Sequence, residues 1–155
     1  MNNKRRTVLK GMSGATLLKL LAAAGIIAPG MALAEWNKAA FEAKSMADAL
    51  KALGAESSKD NKDVQVNGPD IAENGAVVPV GVSSTLANVS MVAILVEKNP
   101  NALAAVFTLP EGTEANVQTR VKMGQTSNVY ALVKSDGKFF MATKEIKVTL
   151  GGCGG

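Results

Sequence analysis

A single cysteine, Cys153, stands in the stretch VTLGGCGG with two glycines on each side. A structural cysteine is expected among apolar neighbours and a metal-ligating one near further ligands, and this thiol has neither beside it. The sequence contains no histidine, which removes Ser-His and Cys-His nucleophile pairs and any histidine-ligated metal. The carboxylates are scattered, with no pair spaced for acid–base work. A free thiol titrates near pH 8.5, about 1.5 units above neutrality, and is lowered only by a cation, a helix N-terminus or a metal. The nearest charge to Cys153 in the sequence is the terminal carboxylate, which opposes ionisation.

Such a thiol is poorly equipped to catalyse, but it is suited to hold a group covalently and carry it into an active site that another protein supplies. Gly151, Gly152, Gly154 and Gly155 give the segment wide conformational freedom and no side-chain bulk, so a narrow channel can admit it. The expectation is a non-catalytic carrier with no metal and no resident cofactor, whose arm is residues 151–155. In an oxidising compartment an unpaired cysteine points either to a reactive thiol or to pairing between chains.

Residues 1–34 read as an export signal. NNKRR opens it, the moderately apolar GATLLKLLAAAGIIAPG follows, and Ala32–Ala34 supply the small-residue cleavage pattern. Arg5 and Arg6 precede Val8, Leu9 and Lys10 in RRTVLK, the pattern of a twin-arginine signal for pre-folded cargo. Lys19 and three glycines interrupt the apolar run, so no membrane anchor is expected. The segment holds five of the 17 basic residues and none of the 13 acidic ones, so its removal turns a net charge of +4 into −1. Nothing in the remainder invites nucleic acid or an anionic membrane.

The elements that must position the arm follow. Residues 35–54 form an amphipathic helix candidate. Trp36, Ala39, Ala40, Ala43, Met46, Ala47, Leu50 and Leu53 share one face at 3–4 spacing, Phe41 projects to the polar side, and Gly54 stops the helix. Its alanine-rich face is expected to dock closely on its own domain rather than on a partner. Residues 55–63, AESSKDNKD, read as a linker.

From residue 64 to 150 the period changes to two. VVPVGV, VSMVAILVE, ALAAVFTL, NVQTRVKM, NVYALVK, KFFMATK and EIKVTL are strand candidates, with turn signals at Asn67-Gly68, Asn74-Gly75, KNPN, PEGTE and Asp136-Gly137. Seven short strands without intervening helices predict a mainly β fold, an Ig-like antiparallel β-sandwich preceded by the N-terminal helix, with a Greek-key barrel as the alternative. Trp36, Tyr130 and Phe107 are expected in the core or at an interface rather than as ligand-stacking platforms, and the methionines in packing. In the last strand Ile146, Val148 and Leu150 point inward and Lys147 and Thr149 outward. The chain is therefore anchored to Leu150 and released at Gly151, and the thiol can stand about 10 Å beyond the sheet.

The terminal GGCGG, together with IAENGAVVPV, EKNPNALAAVFTL, TRVKM and SDGKFFMATKEIKVTLGGCGG, resembles the SoxY family of sulfur-oxidation proteins. The resemblance implies a β-sandwich in a tight heterodimer with SoxZ, exported to the periplasm by the twin-arginine route. It implies that Cys153 bears cysteine-linked sulfur intermediates derived from thiosulfate. Transient partners would be the cytochrome SoxAX, the hydrolase SoxB and, where present, a sulfane dehydrogenase. Two other readings stay open at the level of residues: a covalent dimer through Cys153, and activation at the Gly154-Gly155 carboxylate. The export signal and the run of strands argue against the second.

Overall fold

The computed structural model describes residues 37–149. Two short helices come first, α1 (Lys38–Glu42) and α2 (Met46–Ala52). Nine strands follow: β1 (Lys59–Asp60), β2 (Val64–Asn67), β3 (Ile71–Ala72), β4 (Val78–Ser84), β5 (Val89–Val96), β6 (Leu103–Thr108), β7 (Asn116–Val121), β8 (Ser127–Ser135) and β9 (Lys138–Val148). One sheet runs β1-β9-β8-β5-β6 with β3 also on β9, and the other runs β2-β4-β7. All pairings are antiparallel except those of the two-residue strands β1 and β3, which lie parallel to β9. The fold is the expected mainly β, Ig-like sandwich, with helices before it.

Alternation along the strands sets the layers. On β5, Val92, Ile94 and Val96 pack against Val78, Val80 and Val82 of the smaller sheet, forming the core between the sheets. The intervening Ala93 and Leu95 face the other way, onto Ala40, Ala43 and Ala49 of the helical segment. This explains why VSMVAILV is apolar on both faces: its sheet is covered on one side by strands and on the other by helices. Tyr130 and Leu132 of β8, and Phe139 and Met141 of β9, belong to the same helical layer. Alanine on the docking face lets the helices lie close to the sheet, as expected from the sequence, and Phe107 packs against the inter-sheet core.

The helix expected over 35–54 is instead two helices in the described part. Ala43 is extended at ψ 128, and Ser45 caps α2, its Oγ accepting from the Asp48 amide at 3.1 Å and donating to the Asp48 carboxylate at 2.7 Å. That is a capping arrangement inside the periodic run. The break is held from outside: the Asn101 side chain donates to the Phe41 carbonyl at 2.8 Å and the Ala102 amide to the Ala43 carbonyl at 3.2 Å. The break re-aims the faces, so Ala49 is buried, Ala39 and Ala47 are exposed, and Phe41 turns half-buried into the helical layer rather than to the polar side. Gly54 ends α2 as expected. It sits at φ 70, with Ala55 N–H bonded to the Leu50 carbonyl at 2.8 Å and Gly54 N–H to the Lys51 carbonyl at 3.0 Å.

Two further differences concern strands. KFFMATK and EIKVTL are one strand through Val148, paired with β8 from Lys138 to Ile146 across the Asp136-Gly137 turn. Both turn residues have positive φ, 48 and 75, which a two-residue hairpin loop requires. Asn67-Gly68 is not a hairpin turn, because Asn67 closes β2, which the sequence reading missed. Part of the expected linker, Lys59–Asp60, pairs with Phe140 and Met141 as β1.

Candidate functional site

Cys153, Gly151, Gly152, Gly154 and Gly155, the export residues Arg5 and Arg6, and Trp36 and Leu150 lie outside the described residues. What the structure describes is the strand that leads towards Cys153, and its end is more elaborate than one alternating strand.

Up to Ile146, β9 is held by β8, the last pair being Ser127 with Ile146. Beyond that point β3 takes over along the opposite edge of β9, pairing Ile71 with Lys147 and Ala72 with Val148. The Lys147 amide donates to the Asp70 carbonyl at 3.0 Å and the Thr149 amide to the Ala72 carbonyl at 3.1 Å. Between them, the Val148 amide donates to Thr126 Oγ1 at 2.9 Å. Three consecutive amides are thus satisfied by alternating partners. As expected, Ile146 is buried, Val148 half-buried, and Lys147 and Thr149 exposed.

The segment that carries β3 is fastened at both ends. At its start Lys144, whose side chain is 32% exposed, donates from Nζ to the Gly68 carbonyl at 2.6 Å and meets Asp70 Oδ1 at 2.8 Å. This ammonium beside it, and more weakly Lys147, hold the Asp70 carboxyl below its ordinary value. At its far end the Met123 amide donates to the Gly75 carbonyl at 2.7 Å. The Asn74 side chain turns the chain there, accepting from the Ala76 amide at 3.0 Å. Gly75 has no room for a side chain: a β-carbon would overlap the Met123 carbonyl and stand 2.8 Å from Val148 Cγ1. Gly68 is similarly close, its β-carbon position being 3.1 Å from Ile146 Cδ1.

Lys144, Asp70, Gly75 and Thr126 were not singled out by sequence reasoning. Asn74-Gly75 was read as a turn, which it is, but nothing local signals that the turn abuts the end of a strand more than seventy residues later. The one available signal was the two-residue period of β9, which makes Lys144 a fellow of the inward-facing Ile146 and Val148.

Among the described residues, no group of three or more acidic side chains is placed to hold a metal ion, and no helix is long and apolar enough to cross a membrane. A shallow groove lined by Leu86, Ser90, Leu109 and Glu114 lies beside the start of β5 and the end of β6, at the opposite end of the strands from Val148. Tyr130 sits half-buried, its hydroxyl raised above the ordinary value by burial first and by the Glu97 carboxylate second. It is part of the helical layer and makes no approach to the arm root that would give it a chemical role.

Comparison with solved structures matches this fold to the sulfur carrier protein SoxY from Chlorobium limicola f thiosulfatophilum, with 30% identity and a TM-score of 0.59, over 66% of this chain and 96% of that one. A superoxide reductase (neelaredoxin) from Ignicoccus hospitalis matches with 16% identity and a TM-score of 0.51, over 56% of this chain and 80% of that one, a likeness of fold alone. No curated protein sequence matches significantly. The model of the family described as "Sulfur oxidation protein SoxY" matches residues 49–153, from within α2 through the whole sandwich and up to the cysteine. The chain belongs to the SoxY family.

Proposed function

We propose that this chain is a covalent sulfur carrier of periplasmic thiosulfate oxidation, with Cys153 as the attachment site and residues 151–155 as the arm that presents it. The observation that supports this most is one of sequence and structure together. The family match runs to residue 153, and the described strand leading to it is fastened through Thr149. Cys153 lies four positions after Thr149, a span of at most about 14 Å, enough to bring the thiol clear of the sandwich.

The chain itself contributes binding and delivery, and its partners contribute activation. Coupling thiosulfate to the thiol forms an S–S bond and releases one proton and two electrons, which a c-type cytochrome of the SoxAX kind accepts. Hydrolysis of the resulting Cys–S–S–SO3 group by a SoxB-type enzyme consumes one water and releases sulfate, leaving a persulfide on Cys153. That remaining sulfane sulfur is then oxidised by a sulfane dehydrogenase or passed on. SoxZ is the stable partner of the heterodimer, and Arg5 and Arg6 direct export by the twin-arginine route.

Intact-protein mass spectrometry of material from thiosulfate-grown cells tests this reading. Sulfur adducts that map to the peptide containing Cys153, are removed by a thiol reductant and are missing in Cys153→Ser support it. A thiol that is free or only paired between chains under turnover conditions refutes it.

A further inference from the structure

Strand β3 is two residues long and pairs with β9 alone, too short to hold its place by ladder bonds. Its position depends on what fastens the segment around it. On one side that is Lys144, whose ammonium meets two acceptors on the same turn of chain, the Gly68 carbonyl and the Asp70 carboxylate. An exposed ion pair alone contributes little. Here, however, the same nitrogen also serves a backbone carbonyl from a half-buried position, so the cation ties down a piece of backbone rather than a loose side chain. That backbone includes the Asp70 carbonyl, which accepts from Lys147, and it leads directly into Ala72, which accepts from Thr149.

We propose that Lys144 is a positioning residue that latches β3 onto the end of β9 and thereby sets the root, and so the reach, of the cysteine-bearing arm. With the latch closed the last described backbone tie is that of Thr149 to Ala72. With it open, Lys147 and Thr149 lose their acceptors on the β3 segment, and the last described tie is that of the Val148 amide to Thr126. The chain beyond the last tie is then longer by one residue, about 3.5 Å of reach. The functional sense of this rests on the carrier reading, because a delivered group must arrive at a partner's channel at a fixed distance from the docked body. The latch itself is a property of the chain and is measured without sulfur chemistry.

The test uses the full-length protein with a second cysteine, Glu111→Cys, in the exposed loop at the far end of the sandwich. Nitroxide labels on it and on Cys153 report the distance distribution by pulsed electron paramagnetic resonance. Lys144→Met should broaden that distribution and move its far edge out by about 3.5 Å, and should raise amide exchange at Lys147 and Thr149 by about tenfold or more. Exchange at Leu132 and Val133 should stay unchanged. Lys144→Arg, which keeps the charge and donors, should restore both readouts. Alkylation of Cys153 by a small reagent should proceed at the same rate in all variants, since the thiol is untouched. If Lys144→Met does not fold, Lys144→Gln, which removes the ammonium and keeps a polar side chain of similar length, decides by the same two readouts. An unchanged distance distribution and unchanged exchange at Lys147 and Thr149 overturn the proposal. Failure of the sulfur-adduct experiment would overturn the carrier reading and leave these measurements standing.

Discussion

Thr149 hands its amide proton to the carbonyl of Ala72 at 3.1 Å, a bond between residues 77 positions apart in the chain. It is the last described backbone tie before the glycine-flanked cysteine, and it belongs to a segment that pairs with nothing but the end of β9. The body of the protein is thus a sandwich in which one strand is carried past its neighbour β8 and caught by a short clamp.

Gly75 is the tightest point of that clamp. A methyl group there meets the Met123 carbonyl, which is backbone and cannot swing away, and the Val148 side chain. Gly75→Ala should therefore cost about 1–3 kcal/mol by overpacking and lower the melting temperature by several degrees. It should also raise amide exchange at Val148 and Thr149 more than at Val133. Thermal unfolding with exchange measured by NMR checks both; a melting temperature equal to that of wild type would mean that the segment relaxes freely around the new methyl group.

The Asp70–Lys144 pair gives the clamp a defined response to acid. The neighbouring ammonium, with a smaller contribution from Lys147, holds the Asp70 carboxyl below 3.8 in the folded protein. A carboxyl with a depressed folded value binds fewer protons folded than unfolded, so its stabilising effect is complete above the unfolded value and disappears as pH falls through the folded one. Because Asp70 is solvent-exposed the effect is small. The denaturation midpoints of wild type and Asp70→Asn should differ at about pH 6 and converge as pH falls through the lowered folded value of Asp70. A difference that persists undiminished in acid would rule out the ionised pair as its source.

Much of this architecture was legible in the sequence, for reasons visible in particular residues. Asp136-Gly137 announced its hairpin because only residues tolerant of positive φ fit there. Val117, Thr119, Val121 and Met123 alternated cleanly because β7 has one buried face, and Gly54 marked its helix end by the left-handed turn it makes. The failures have equally physical causes. Period alone ran α1 and α2 together, since the bonds that break them come from Asn101 and Ala102, far along the chain. The clamp was invisible because β1 and β3 are too short to show a period, and Lys144 reads as one more charged strand residue until its acceptors at Gly68 and Asp70 are in place. Cys153 stood out in the sequence and lies outside the described residues; the mechanics of the strand that leads towards it were not legible.

The helix break supplies a separate test of that account. Ser45 accepts from the Asp48 amide and donates to its carboxylate, so Ser45→Ala should cost about 0.5–2 kcal/mol. The loss should appear as faster exchange in α2 and leave β8 and β9 protected. Urea denaturation monitored by exchange distinguishes this from the alternative in which the bonds from Asn101 and Ala102 alone fix the break, where Ser45→Ala would be neutral.

The proposed twin-arginine export is the last link, and it would join the signal to the missing chemistry. The twin-arginine route carries folded cargo, commonly for the sake of a cofactor inserted beforehand, yet this sequence has no histidine and a single cysteine. A folded-protein route is needed all the same if the cargo is a pair of chains of which only one bears the signal. Changing Arg5 and Arg6 together to lysine should therefore leave both this chain and a co-expressed SoxZ in the cytoplasm, whereas the unmodified signal should bring both to the periplasm. Fractionation followed by immunodetection of each chain reads the result. If SoxZ reached the periplasm while the twin-lysine chain stayed behind, the two would be travelling separately, and pre-assembly would have to be abandoned as the reason for the signal.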